Sequence, residues 1–432
     1  MGVIGYADVS LLRCSKREIP MPLYRPDAKM HSATSHGSDL LIIGAGVVGS
    51  FYAYHALQRG LKVTLLERHG TPTGATVRNF GQVVPSGLDQ DWQRHGRESL
   101  RIYREIQSHC DITVRQHGSL YIASNEQECT LIEELRRINA ATGYASELWT
   151  REQCCERYPH LRADYCQGGL FFPGEVSVNP RQMIHRLHQY LGSFRRFRIH
   201  YQTLVQNLES SNSGVIAETS SGERLTASQA ILCCGSEFQT LFPAHFQQSE
   251  MQLCKLQMLR LRPCPGVTLP GNILTGRSIR RYESFSQCPS WNEIKSNEST
   301  TNELVDDPMG RWGIHILFKQ ESDGGIILGD SHEYAPASQP DQLDFELKAE
   351  INDCMVAEAQ RIMGFPHWDI ETSWSGIYSQ TADPTGVYCK NPMPNVYITT
   401  GIGGKGMTSS AGFTEHHLDE LLGEIPTSCC GD

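Results

Sequence analysis

Three glycines in G-x-G-x-x-G spacing, Gly44, Gly46 and Gly49, carry the clearest chemistry in this chain of 432 residues. An apolar run at 40–43 precedes them and an amphipathic stretch at 48–59 follows. That order predicts a buried parallel strand, a tight turn and a helix. In such a turn the first glycine makes the bend and the second lets a pyrophosphate approach the backbone. The third lets helix and strand pack closely. The helix start, with Val47 and Val48 beside Gly49, then offers free N–H groups and a positive dipole end to phosphate. A second apolar run at 62–66 delivers Glu67, followed by Arg68, where a carboxylate can hold ribose hydroxyls. A tight turn in any α/β protein would not need that acid. Glutamate here disfavours a 2′-phosphate, and with it NADP.

A second glycine-rich turn, GIGGKGMT at 401–408, follows the apolar strand pattern at 396–400 and precedes a helical run. AILCCG at 230–235 is a further buried strand running into glycine, Gly235. A chain that returns to nucleotide-type turns at its far end suits one large cofactor gripped from both ends.

Other side chains are candidates for polar work. Arginine is the natural partner of a carboxylate or phosphonate, through paired charged hydrogen bonds. Read as a strand, RSIRRYESF (277–285) sends Arg280 and Tyr282 to one face and Arg281 to the other. Arg280 with Tyr282 is therefore the expected anion anchor; two arginines on a sheet edge is the bland reading. In WGIHIL (312–317), His315 opposes Ile314 and Ile316, which fits a pocket wall or a buried structural histidine. His332 and Glu333 follow a strand and a glycine, where loop placement favours a polar role over helix capping. Tyr378 is a further lining candidate, although an aromatic's default place is the core. No pair of C-x-x-C units has zinc spacing, so no metal is expected.

The elements that must position these residues follow from patterning. The nucleotide-binding part is expected at 38–115, 178–250 and 370–424, and a second part with antiparallel strands at 116–177 and 251–369. Strands are read at 118–124, 198–205, 214–219, 225–235, 251–262, 273–285, 311–318 and 325–330, and helices at 91–110, 126–142, 342–363 and 409–422. Residues 286–310 are polar and irregular, hence a loop or lid. Residues 1–37 read as a disordered tail without an apolar core for export. The net charge of −10 argues against nucleic acid as a partner. No run is long enough to span a membrane. The fifteen cysteines read as reduced thiols of a cytoplasmic protein.

Together GAGVVG (44–49), Glu67, GATVRNFGQV (74–83), AILCCG, GIYSQTADPTG (376–386) and GIGGKGMTSSAG (401–412) resemble the D-amino-acid-oxidase-like superfamily of FAD oxidoreductases, which includes glycine and sarcosine oxidases. The resemblance covers residues 39–422. RNFG, KLQMLRLRP, RSIRRYESF, WGIHIL and GDSHEY resemble a subgroup associated with aminophosphonate catabolism. It implies an α/β fold in which a Rossmann-like FAD domain interleaves with an α+β substrate domain. It implies pyrophosphate at Gly44–Gly49, ribose at Glu67 and adenine at Val205, at a strand end. Ala75, Arg78, Asn79, Gly81 and Gln82 would pass beside the flavin ring. Gly401, Gly403, Gly404, Lys405, Gly406, Met407 and Thr408 would bring a helix start to its N1–O2 edge. Gly376 stands where sarcosine oxidases carry a flavin-linking cysteine, so FAD is expected to be non-covalent. Ile327 stands where they carry an oxygen-activating lysine, which leaves Lys405 or His332 to take that role, or another acceptor than oxygen. The implied activity is oxidation of the C–N bond of a small zwitterionic amine. An N-alkylated 2-aminoethylphosphonate giving phosphonoacetaldehyde is favoured, and a glycine, sarcosine or D-amino acid is the alternative. A non-catalytic or tRNA-modifying flavoprotein is the reading of another class.

Overall fold

The computed structural model describes residues 37–300, 307–383 and 386–423. The expected tail lies outside the described residues but for Gly37, as do 301–306 of the expected lid. Two sheets organise the described chain. In the first, the parallel order is Val396–Thr400, Arg224–Leu232, Ser38–Ile43, Val63–Leu66 and Phe197–His200. The register sets Ile42 beside Ile231 on one side and Leu65 on the other, all fully buried. Helices cover one side of these strands: Val47–Gln58 packs on Gly406–Leu421, which packs in turn on Gln90–His109. The strand ends matter most. Gly44, Glu67, Cys233 and Gly401 each follow the carboxyl end of a neighbouring parallel strand, the edge where open α/β sheets bind ligands.

Among the described residues, the second sheet has nine strands and is largely antiparallel. Its spine is Gln252–Leu261, which pairs with Ile326–Gly329, Glu333–Pro336 and Ile370–Gln380. Ile351, Met355, Ala359 and Ile362 of the helix Ala349–Ile362 recur at helical spacing and are fully buried against this sheet.

Several sequence expectations need correction. Ile370–Gln380 belongs to the second sheet, because it finds an antiparallel partner along the whole of Gln252–Leu261; the first sheet resumes only at Tyr388. The strand read at 273–285 stops at Leu274 and becomes the helical turn Gly276–Ile279 and a 3-10 turn at Glu283–Gln287. Residues 286–310 include the helices Trp291–Thr300 and Pro308–Arg311 in place of an irregular loop. The strand read at 198–205 divides, and Val205 begins a strand where it was expected to end one. The helix read at 342–363 starts at Ala349, because buried Lys255 holds the preceding backbone extended through Asp344 O and Glu346 O, at 2.7 and 2.6 Å.

Candidate flavin and substrate site

The glycine turn is built by exclusion. A Cβ on Gly49 would lie 2.0 Å from Gly44 O, and one on Gly44 would lie 2.2 Å from Cys233 O and need a left-handed backbone at φ +106°. Gly46 differs, since its nearest neighbour is Thr76 Oγ1 at 3.1 Å and it faces open space. The N-cap of the helix that starts at Val47 is Gly46, which has no side chain of its own to cap it. Thr76 Oγ1 accepts from Val47 N at 3.0 Å, and Glu67 Oε2 accepts from Ala45 N at 3.2 Å. The turn, the loop after the second strand and the acid are thus tied together.

A cavity of about 710 Å³ runs from this turn to the second sheet. Every residue named above as a site candidate lines it except Arg280 and Glu333. Along the 74–82 segment, Asn79 Nδ2 donates to Ala75 O and Thr76 O while its Oδ1 accepts from Gly81 N. Arg78 donates to Thr73 O and Ser375 O. Both therefore hold the loop's backbone in shape. Gly235 O accepts from Ser379 Oγ and Thr400 Oγ1, which closes the wall between the two sheets. Lys405 sits at the start of the helix Gly406–Leu421, 7 % exposed, its Nζ 4.7 Å from the centroid of Trp92. Burial lowers its pKa against the opposing pull of Glu283, Asp89 and Asp383. Burial likewise raises Glu283, which Lys405 partly offsets.

At the other end, Arg280 departs from expectation. Its Nε donates to Glu128 Oε1 at 2.9 Å, and its guanidinium also reaches Gln127 and Asn125. The helical turn is the reason: adjacent residues there do not alternate between two faces. Arg281 and Tyr282 both line the cavity, and Arg281 donates to Tyr334 Oη at 2.8 Å. Tyr282, His315, His332 and Tyr334 form a column of rings with successive centroids 5.5, 5.4 and 6.3 Å apart. His315 is carried by the ladder, exchanging backbone hydrogen bonds with Asp330. His315 Nδ1 meets Ser278 Oγ at 2.9 Å, and its Nε2 lies 3.1 Å from Asp330 Oδ1. That approach lacks the alignment of a hydrogen bond, and among the described residues Oδ1 has no hydrogen-bond partner. His332 Nδ1 faces Gly313 O at 3.0 Å. Burial drives His332 down to about 3 and also lowers His315. Burial works to raise Asp330, but both imidazoles and Arg281 outweigh it and hold the carboxyl below its usual range.

Sequence reasoning missed Arg281, Asp330, Tyr334 and Glu283, all of which line the cavity. Asp330 and Tyr334 lie within GDSHEY, a stretch already singled out, and only the ladder to His315 shows which of its side chains turn inward.

The chain matches the family described as FAD dependent oxidoreductase over residues 39–416. It belongs to that family. The cavity fits the cofactor on structural grounds: a glycine turn packed against backbone at Gly44 and Gly49 but open at Gly46, a helix start whose N-cap is glycine, and a buried acid fixed at a strand end. In sequence the chain is 26 % identical to mitochondrial sarcosine dehydrogenase of Mus musculus over 147 residues, 33 % of this chain and 16 % of that protein. The match thus spans a small part of that relative's length. Glycine oxidase from Geobacillus kaustophilus has the same fold, with a TM-score of 0.70, 16 % identity, and coverage of 91 % of this chain and 96 % of that one. Iminodiacetate oxidase from Chelativorans sp. BNC1 has a TM-score of 0.68, 18 % identity, and coverage of 90 % and 97 %. Among the described residues no helix is long and apolar enough to cross a membrane.

Proposed function

We propose that this FAD-dependent oxidoreductase oxidises the C–N bond of a small amine carrying an anionic group, with FAD held non-covalently. The favoured substrate is an N-alkylated 2-aminoethylphosphonate or near relative. The imine product hydrolyses to phosphonoacetaldehyde and an amine, with hydrogen peroxide formed where oxygen is the acceptor. The observation that carries this reading is Arg281, an exposed side chain that lines the cavity beside Tyr334, His315 and His332. An arginine left open on a cavity wall is a partner for an anion.

Bound FAD supplies a two-electron acceptor for the hydride on the carbon beside nitrogen. The chain's own work is to bind, orient and exclude water. Gly44–Gly49 and Glu67 would hold pyrophosphate and ribose, and the 74–82 and 401–408 segments the ring. Lys405 at a helix start would favour negative charge there. Arg281 and Tyr334 would fix the anionic end, and the column of rings would wall the reacting carbon. The RNFG, KLQMLRLRP and GDSHEY stretches support the phosphonate. The fold shared with glycine oxidase and iminodiacetate oxidase supports a second reading, a carboxylate-bearing amine such as glycine or sarcosine.

Anaerobic mixing of the yellow protein with a panel of amines tests this, read as bleaching of the flavin absorbance. Rapid bleaching by N-alkylated aminoethylphosphonates is expected. Bleaching by glycine or sarcosine alone would transfer the assignment to the second reading, and a colourless protein unable to take up FAD would overturn both.

A further inference from the structure

Asp330 is the least explained group in the cavity. It is a carboxylate 8 % exposed, on a cavity that Arg281 also lines, and among the described residues its Oδ1 has no hydrogen-bond partner. Its neighbour His315 Nε2, at 3.1 Å, is poorly aligned with it, and a buried carboxylate so weakly paired is costly, so a cation or donor that arrives with a ligand is the simplest account of it. His332 adds a second acceptor. Its Nδ1 faces the carbonyl of Gly313, which can only accept, so that nitrogen carries the proton and Nε2 presents a lone pair. One ligand atom from each of His315, Asp330 and His332 lies within 4.8 Å of the other two.

We propose that Asp330 and His332 form an ammonium subsite, which takes the protonated secondary amine of the substrate while Arg281 takes its anionic end. This rests on the amine reading given above and specifies the form in which the amine is captured. Charge favours ammonium over a metal ion. Arg281 is close enough to influence Asp330 and both histidines, and a dication beside it would be repelled twice as strongly as a monocation. With the histidines neutral, Arg281 and Asp330 make a pocket of zero net charge with a plus end and a minus end. A zwitterion lies across it with its charges reversed. Two acceptors, Asp330 and His332 Nε2, match the two N–H groups of a secondary ammonium and leave a quaternary amine unserved.

The test compares two ligands of similar length on the FAD-loaded protein, by perturbation of the flavin spectrum: N-methyl-2-aminoethylphosphonate under anaerobic conditions with the flavin pre-reduced, and butylphosphonate, which lacks the nitrogen. The wild type is expected to bind the amine at least ten times more tightly. In Asp330→Asn that preference is expected to vanish, with butylphosphonate affinity changed less than threefold. His332→Phe should remove part of it and Asp330→Glu should restore part. An equal loss of affinity for both ligands in Asp330→Asn, or a preference that survives, would overturn the subsite. So would one equivalent of zinc that the wild type retains through gel filtration and Asp330→Asn does not. If neither ligand perturbs the wild-type spectrum, the phosphonate reading fails with it. If butylphosphonate alone binds, the anion site stands and the ammonium subsite falls.

Discussion

The two ends of the cavity are built by different means. At the Gly44 end the binding groups are backbone atoms, and side chains are absent where the ligand must approach. The geometry comes from residues close in sequence: a strand, a turn and a helix start within 38–58, plus one acid fixed at the next strand end. At the Arg281 end the groups are side chains drawn from a helical turn, two strand ends and a loop, at positions 281, 315, 330 and 334. The first kind of site tolerates almost no change at its glycines, because the clash is with backbone. The second can lose one side chain and keep its shape.

Gly49→Ala therefore has the largest expected effect. The new Cβ would meet Gly44 O at 2.0 Å, and a backbone carbonyl cannot yield as a flexible side chain can. The variant should emerge without flavin or insoluble, read by the absorbance of the purified protein. Gly46→Ala should fold with an unchanged apoprotein Tm and lose flavin affinity alone, since only Thr76 Oγ1 stands near and the added methyl enters the phosphate path. Identical behaviour of the two would erase the distinction between packing glycine and approach glycine.

The arginine pair sharpens the other end. Arg281→Ala should cost on the order of 100-fold or more in kcat/KM for anionic substrates, as expected for loss of a charged hydrogen-bonding partner, with flavin content unchanged. Arg280→Ala should do the reverse. It leaves Glu128, 3 % exposed, without its ion-pair partner and should destabilise the fold by roughly 3–5 kcal/mol, while KM at a permissive temperature stays near that of the wild type. Denaturant melts beside steady-state kinetics separate the two.

That pair also shows what a sequence can and cannot carry. The Gly44 turn and the Glu67 strand end were readable because each residue type there has a local mechanical cause. The 401–408 segment was readable for the same reason, and it lies where the pattern put it. The face of RSIRRYESF was misread because alternation is evidence only if the segment is a strand. Three residues of strand followed by a helical turn reverse which arginine reaches the cavity. Ile370–Gln380 was misassigned for a related reason. Its partner lies more than a hundred residues away in Gln252–Leu261, and pairing at that distance leaves no local mark. Asp330 was invisible because an aspartate after a glycine reads first as a turn.

A third contrast concerns the support behind the substrate end. Glu175 is fully buried; its Oε1 accepts from Ser86 N at 2.9 Å and Tyr144 Oη at 2.8 Å, and Ser86 Oγ reaches Tyr121 Oη, whose ring meets Tyr282 edge-on. Burial raises its carboxyl to about 7, against the opposing pull of those hydrogen bonds. A folded pKa above the unfolded one means that the folded state keeps its proton while the unfolded chain ionises. Stability from this group is then fully present below about pH 4.5, falls as pH rises, and levels off above about pH 7. The total is roughly 3 kcal/mol. Glu175→Gln mimics the protonated form and should remove that slope, seen as a flatter Tm between pH 5 and 8. A slope equal to the wild type's would place the titration elsewhere.

The smallest effect should come from Glu67→Gln. Both carboxylate oxygens accept from backbone, Oε2 from Ala45 N and Oε1 from His69 N at 3.0 Å, so a glutamine keeps one of the two bonds and leaves the other N–H to solvent or ligand. An amide keeps one acceptor, and the ribose hydroxyls lose a charged hydrogen bond in exchange for a neutral one, about 1–1.5 kcal/mol. FAD should therefore bind about tenfold more weakly, measured by fluorescence on titrating the apoprotein. At saturating FAD the KM for the amine should match the wild type's, because Glu67 and Arg281 serve opposite ends of one cavity. A KM that moved with Glu67 would mean that the two ends are mechanically coupled, and that the backbone-built turn helps to set the geometry of the side-chain-built pocket.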